Sequence, residues 1–140
     1  MTWRVAKCID TLRKQINDAF PKRSKANDGT IGDAAHASRS SDHNPWVKDG
    51  KTGVVTGMDI THDPVNGVDC EKLAESLRSS KDGRIKYLIW NRRIWNPDIS
   101  PAWRKYTGPN GHTHHIHISV EGVKPLYDET TPWKWRSEPK

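Results

Sequence analysis

Polar and aliphatic residues alternate along the segment from His114 to Val120, and this pattern constrains the fold more than any other part of the chain. A period of two is typical of a β-strand with one face in the core and the other face outside it. The residues of the predicted core face are Ile116, Ile118 and Val120, and those of the opposite face are His115, His117 and Ser119. The chain is therefore expected to build a sheet that carries imidazoles on its polar face.

Two helices are predicted beside this strand. Apolar residues three and four positions apart predict an N-terminal helix over about residues 3–19, which Pro21 ends. Asp69 is a predicted N-cap for a second helix from Cys70 to Ser80.

Two further strands are predicted at residues 53–61 and 84–90. In the first of them, alternation places Asp59 on the face opposite Met58 and Ile60. The polar face of the sheet is therefore expected to carry a carboxylate as well as the two imidazoles.

The remaining stretches predict irregular structure. Residues 22–53 and 92–111 are rich in turn-forming residues, and the tail over about 124–140 is expected to be an extended segment on the surface. Helices and strands in this order predict one α+β domain over residues 1–140, with helices on one side of a small, mostly antiparallel sheet.

The charge of the chain favours an anionic partner. Lys and Arg total 23 against 17 Asp and Glu, so the 140 residues carry a formal net charge of +6 with His neutral. A field of this kind attracts nucleic acid, wall polymers and anionic lipid alike, so charge alone does not identify the partner.

The N-terminal residues and the cysteines indicate the cellular compartment in which the protein is made. No apolar run reaches the ~18 residues of a membrane span, and the N-terminal residues alternate in polarity, unlike a signal peptide. We therefore expect no membrane insertion and a protein that is made and first held in the cytoplasm. Cys8 and Cys70 are too few for a disulfide scaffold and are expected to be reduced and packed.

The clustering of histidine suggests a metal site. Four of the seven histidines lie within residues 112–117, and two of them share one strand face with the predicted position of Asp59. A buried carboxylate without a partner costs on the order of several kcal/mol, and a cation would remove that cost. His43 is a further candidate ligand, and two imidazoles with one carboxylate form an open, catalytic type of zinc set. A histidine-rich edge strand without a metal is the alternative.

Three motifs in this order resemble a known family. Ser41-Asp-His43, Asp59 in Gly-Met-Asp-Ile-Thr, and His115-Ile-His117 resemble the S-x-H, A-x-D and H-x-H elements of M15-type zinc peptidases. That family comprises D,D-carboxypeptidases and peptidoglycan endopeptidases, including many phage endolysins. The wider resemblance covers about residues 28–121 and is closest to the actinobacterial and phage branch.

The resemblance implies a fold like that of the hedgehog proteins and D,D-peptidases, with one Zn²⁺ per chain. It implies that His43, Asp59 and His117 are the ligands and that His115 lies beside the metal-bound water. Because residues 101–117 contain no Asp or Glu, a histidine would then be the general base, as in the H-x-H branch.

The resemblance also implies substrate contacts. Arg39 and Ser41 lie where the family holds the carboxylate and carbonyl groups of the substrate, and Arg39 is for this reason a candidate catalytic residue. His112 and His114 are either donors that orient the ligands or solvated loop residues. The implied substrate is a peptidoglycan stem peptide, cleaved by a D,D- or L,D-type carboxypeptidase or endopeptidase. A monomer that acts at the anionic cell wall after release is expected.

Three alternatives stay open at this point. The triplets 36–38 and 117–119 are both H-x-S, the pattern of metal-independent two-histidine phosphoesterases, although that interpretation leaves Asp59 without a role. A non-catalytic zinc or wall-binding module would keep the same ligands. A nuclease of the HNH type would use His43 and Asn44 but neither of the other two motifs, so nucleic acid is not the expected partner.

Overall fold

The computed structural model describes residues 3–29, 47–108 and 111–136. The strands in these ranges are β1 (Trp3–Val5), β2 (Val47–Asp49), β3 (Thr52–Val55), β4 (Gly57–Thr61), β5 (Ile85–Trp90), β6 (Arg93–Trp95), β7 (Arg104–Lys105) and β8 (His115–Val120). The helices are α1 (Lys7–Ala19), α2 (Cys70–Ser80) and α3 (Lys124–Tyr127), with a 3₁₀ turn at Pro64–Asn66.

The strands form two sheets, and the larger one confirms the predicted alternation of β8. Its strand order is β4-β8-β5-β6-β7, and all neighbouring pairs are antiparallel. The aliphatic residues Ile116, Ile118 and Val120 are fully buried. The smaller sheet has the order β1-β3-β2 and contains one parallel pair, β1 with β3. The α+β prediction is confirmed.

The aliphatic face of β8 lies in one core with the two long helices. The helix residues in this core are Ile9, Leu12 and Ile16 of α1 and Leu73, Ala74 and Leu77 of α2. The predicted cap of α2 is also confirmed, because the Asp69 carboxylate accepts from the amides of Glu71 and Lys72 at 2.9 and 3.3 Å. The helices thus cover one face of the larger sheet, and the face that bears the histidines is the other one.

The prediction of one strand over residues 53–61 is wrong. The strand structure is interrupted at Thr56, so that β3 belongs to the smaller sheet and β4 to the larger one. The carbonyl of Thr56 accepts from the amide of Val120 at 2.8 Å, which ties the break to the end of β8. Alternation within β4 nevertheless places Asp59 opposite Met58 and Ile60 as predicted, since those two residues are buried in the core.

The N-terminal helix begins later than predicted. Residues Trp3–Val5 form β1 and pair in parallel with Gly53–Val55, and α1 begins at Lys7. In the sequence, Val5 continues the apolar stripe of the helix. In the structure it pairs instead with a strand some 50 positions away in the chain.

The two predicted irregular stretches contain short strands. β2 lies within residues 22–53, and β6 and β7 lie within residues 92–111. β5 and β6 form a hairpin with the two-residue turn Asn91-Arg92, whose φ angles are +50° and +64°. Positive φ at both central residues is the requirement of a type I′ turn, which matches the twist of the strands.

The C-terminal tail was predicted to be extended on the surface, but its described residues 124–136 begin with α3 and pack into the core. After α3, residues 128–136 are irregular, and both Trp133 and Trp135 are buried. The indole N–H of Trp133 donates to the carbonyl of Cys8 at 2.8 Å, and the Arg84 guanidinium lies 4.0 Å above the Trp133 ring. Indole rings thus supply core volume that a chain with one Phe otherwise lacks.

The cysteines behave as predicted. Cys8 and Cys70 are buried and not bonded to each other, and burial raises the pKa of each thiol to about 12. They are therefore packed thiols without nucleophilic character at neutral pH. Among the residues that the structure describes, no helix has the length and apolarity that crossing a bilayer requires.

Candidate metal centre

The strand register brings the polar side chains of β4 and β8 together. Asp59 pairs with His117, Thr61 with His115 and Gly57 with Ser119. Residues directly opposite each other in an antiparallel pair point to the same face. The carboxylate and both imidazoles therefore lie on the face that the helices leave uncovered, as the sequence predicted.

His117 lies between two hydrogen-bond partners. Its Nδ1 is 3.0 Å from Oδ1 of Asp59, and its Nε2 is 2.7 Å from Oγ of Ser119. The Tyr87 ring stacks on the imidazole with 5.5 Å between centroids and 23° between planes. Both ring nitrogens and one ring face of His117 are thus in contact, which fixes the orientation of the ring.

The second carboxylate oxygen of Asp59 faces the other strand histidine. Oδ2 is 3.4 Å from Nε2 of His115. The side chain of His115 is 13% exposed and that of Asp59 17%, against 4% for His117. Solvent therefore reaches the cluster at Asp59 and His115 more than at His117.

His112 joins this cluster from the loop before β8. Its ring centroid lies 4.8 Å from that of His115 and 5.5 Å from that of His117. His112 is buried and has a φ of +53°, a left-handed conformation that non-glycine residues rarely adopt. A conformation of this kind persists only where its surroundings impose it.

The hairpin turn between β5 and β6 imposes this conformation. The amide of Asn91 donates to the His112 carbonyl at 2.9 Å, and the amide of Arg92 donates to the Gly111 carbonyl at 2.8 Å. A Cβ at Gly111 would lie 2.9 Å from Cγ of Arg92, so a larger residue there would have to displace the Arg92 side chain. The turn therefore holds His112 by backbone contacts on the side of β8 away from β4.

The opposite edge of the cluster rests on a buried ion pair. Arg23, whose side chain is 0% exposed, donates to both oxygens of Asp28 at 3.0 and 2.7 Å. The same carboxylate accepts from the amide and the hydroxyl of Thr61 at 2.9 and 2.7 Å. The next residue, Gly29, exchanges backbone hydrogen bonds with Asp59. The Arg23–Asp28 ion pair therefore fixes the outer edge of β4 beside Asp59, a candidate metal ligand.

The chemistry of the donors fits a metal ion. Within residues 3–29, 47–108 and 111–136, one group could hold a metal: Asp59, His112 and His117, whose donor atoms all lie within 4.8 Å of one another. Imidazole and carboxylate are ligands that zinc accepts, and three of them leave a fourth position for water or substrate.

The sequence-predicted residues divide into three sets. The structure brings Asp59, His115 and His117 together as predicted. His114 is exposed and does not join them, although its carbonyl accepts from the amide of His62 at 2.9 Å. The predictions for Arg39, Ser41 and His43 lie outside the described residues.

The sequence does not predict the roles of two contributors to the cluster. It favours neither a ligand-orienting donor nor a solvated residue at His112, which is one of the three clustered donors. The sequence places Ser119 on the polar face of β8 and in an H-x-S triplet without assigning it a contact, and the structure shows that its hydroxyl contacts His117. Alternation along β8 indicates the face of Ser119, whereas the left-handed backbone of His112 has no signal in the sequence.

Comparison of the chain with protein-family models, curated proteins and solved structures found no match. The family resemblance therefore stays a prediction from the motifs. The geometry of the cluster is an observation independent of it.

The ion pair beside Asp59 predicts an acid-sensitive contribution to stability. Burial alone would raise the pKa of Asp28, but the hydrogen bonds from Arg23 and Thr61 outweigh it, so the pKa lies below its ordinary value. The contribution is therefore complete above the unfolded pKa of about 3.9 and is lost as the pH falls through the lower folded value. Asp28→Asn should reduce the free energy of unfolding at neutral pH by about 3 kcal/mol, because Arg23 loses its counter-charge.

Urea unfolding of both proteins across the acid range measures this. The difference should shrink as the pH falls below the unfolded pKa of about 3.9 towards the lower folded value, where Asp28 becomes protonated in the unmodified protein as well. Asp18→Asn is the control, since its exposed pair with Lys14 should contribute less than about 1 kcal/mol. A loss that is constant across the pH range would contradict the assignment.

Proposed function

We propose that the chain is a zinc-dependent peptidase that hydrolyses peptide bonds in peptidoglycan stem peptides. The observation that carries the proposal is the convergence of Asp59, His112 and His117 on the polar sheet face, with His115 beside them. The order of the Asp59 and His117 motifs along the chain supports the same family.

In this proposal Asp59, His117 and one further imidazole hold the ion. His112 supplies that imidazole in the described part of the chain, whereas the family pattern assigns it to His43. Zinc, when bound, would polarise a substrate carbonyl and lower the pKa of a bound water, so that the water becomes a nucleophile near neutral pH.

The other residues act on the substrate and on protons. His115 lies next to Asp59 and is more exposed than His117, so its Nε2 is placed to hold or transfer a proton on the substrate side. No acidic residue lies between positions 101 and 117, which supports a histidine in this role. Arg39 and Ser41 are proposed to bind the carboxylate and carbonyl groups of the substrate.

The charge of the chain fits a wall substrate. The net charge of +6 attracts an anionic polymer over distances up to about a Debye length, roughly 8 Å at physiological ionic strength. Binding of this kind would concentrate the protein at the wall and leave the specificity for a peptide bond to the cluster.

Digestion of purified peptidoglycan tests the function. Mass spectrometry should detect new stem-peptide fragments, which a zinc chelator abolishes and added Zn²⁺ restores, and elemental analysis should give one zinc per chain. Zinc binding without fragments would indicate a binding module. Cleavage of a cyclic phosphate that survives the chelator would indicate the two-histidine phosphoesterase and contradict the proposal.

The two histidines of β8 should differ in their effects. His117→Ala removes a ligand, so zinc affinity, activity and melting temperature of the zinc-loaded chain should fall together, because metal binding is linked to folding. His115→Ala should retain zinc and the fold while turnover falls roughly 10²- to 10⁴-fold, the usual contribution of a positioned acid or base.

Zinc content, thermal melts and turnover of both variants, measured side by side, check this. A fully active His115→Ala would contradict the role assigned to His115. The same zinc measurement on His112→Ala and His43→Ala identifies the third ligand, and we expect His112→Ala to lose zinc. His62→Ala is the control, since the His62 ring accepts from the amide of Cys70 and packs on Trp90 instead.

A further inference from the structure

Ser119 is a hydrogen-bond partner of His117 that the proposed mechanism does not use. Its hydroxyl lies 2.7 Å from Nε2 of His117, and the residue is completely buried. It cannot touch a substrate in this position, which excludes it as a nucleophile. The residue opposite it on β4 is Gly57, so that strand offers no side chain that could replace the hydroxyl.

The position of the hydroxyl determines which ring nitrogen faces the cluster. Nδ1 of His117 points to Asp59 and Nε2 points to Ser119, on the opposite side of the ring. A nitrogen that binds a metal must lack a proton, so the other nitrogen of a neutral imidazole carries it and needs an acceptor. In the buried interior an N–H without an acceptor is costly.

A hydroxyl suits this position in both states of the ring. It can accept from Nε2–H when Nδ1 binds a metal, and it can donate to Nε2 when Nδ1 carries the proton and bonds to Asp59. Metal-ligating histidines usually donate their second N–H to a fixed partner, and loss of that partner weakens metal binding.

We infer that Ser119 is a positioning residue, which holds the His117 ring so that Nδ1 is the nitrogen offered to the metal. This inference rests on the metal-binding part of the proposed function. It does not depend on the substrate or on the reaction.

Zinc affinity of three variants tests the inference. Ser119→Ala should bind zinc about 10- to 100-fold more weakly in competition with a chelator, the usual effect of removing such a partner. Ser119→Thr keeps the hydroxyl and should bind zinc within a few-fold of the unmodified chain. Ser80→Ala is the matched control, because the Ser80 hydroxyl donates to the Leu77 carbonyl at the end of α2 and should not affect zinc.

Melting of the metal-free proteins separates positioning from folding. Ser119→Ala should melt close to the unmodified chain without zinc and below it with zinc. A variant that binds zinc within twofold of the unmodified chain overturns the inference but leaves the proposed function intact. An unmodified chain that binds no zinc overturns both.

A second measurement needs no variant. It tests the inference even if Ser119→Ala lowers the metal-free melting temperature. Proton–nitrogen correlation spectra of the imidazole rings report which nitrogen carries the proton. In the zinc-loaded chain His117 should carry it on Nε2 and bind through Nδ1. Binding through Nε2 would overturn the inference.

Discussion

The antiparallel pairing of β4 with β8 places Asp59 directly opposite His117, and the rest of the site depends on this register. A slip of one residue would bury the Asp59 carboxylate in the core and expose Met58 or Ile60. Both changes would cost folding free energy. The buried aliphatic residues of both strands therefore determine where the polar cluster lies. Core packing and site geometry are two consequences of one pairing.

Hydrogen bonds then hold the cluster from both sides of this pair. On the β4 side, the Arg23 and Asp28 ion pair binds Thr61, and Gly29 binds the backbone of Asp59. On the β5 side, the turn at residues 91–92 binds the carbonyls of residues 111 and 112. Donor groups held by rigid elements keep their geometry without a ligand, which is the condition for selective metal binding.

Local patterns predicted α2, β5 and β8, because each has a clear period or a cap in its own residues. They failed where a distant segment decides the structure, as at Trp3–Val5, which pairs with β3, and at the break between β3 and β4. The same limit applies to the site. Asp59, His115 and His117 follow from alternation along strands, whereas His112 depends on a turn about 20 residues earlier in the chain.

Solvent exposure decreases along β8 from His115 to Ser119, so the two ends of the cluster differ in their access to solvent. Ser119 is completely buried, His117 is almost so, His115 is partly exposed, and His114 before the strand is exposed. Electrostatic interactions strengthen as water is excluded, so the buried end is suited to holding an ion and orienting its ligand. Proton exchange with a substrate requires access, and among the clustered residues that the structure describes, Asp59 and His115 are the more exposed. Along β8, His117, which would hold a metal, is thus buried, whereas His115, which would act on what binds to it, is partly exposed.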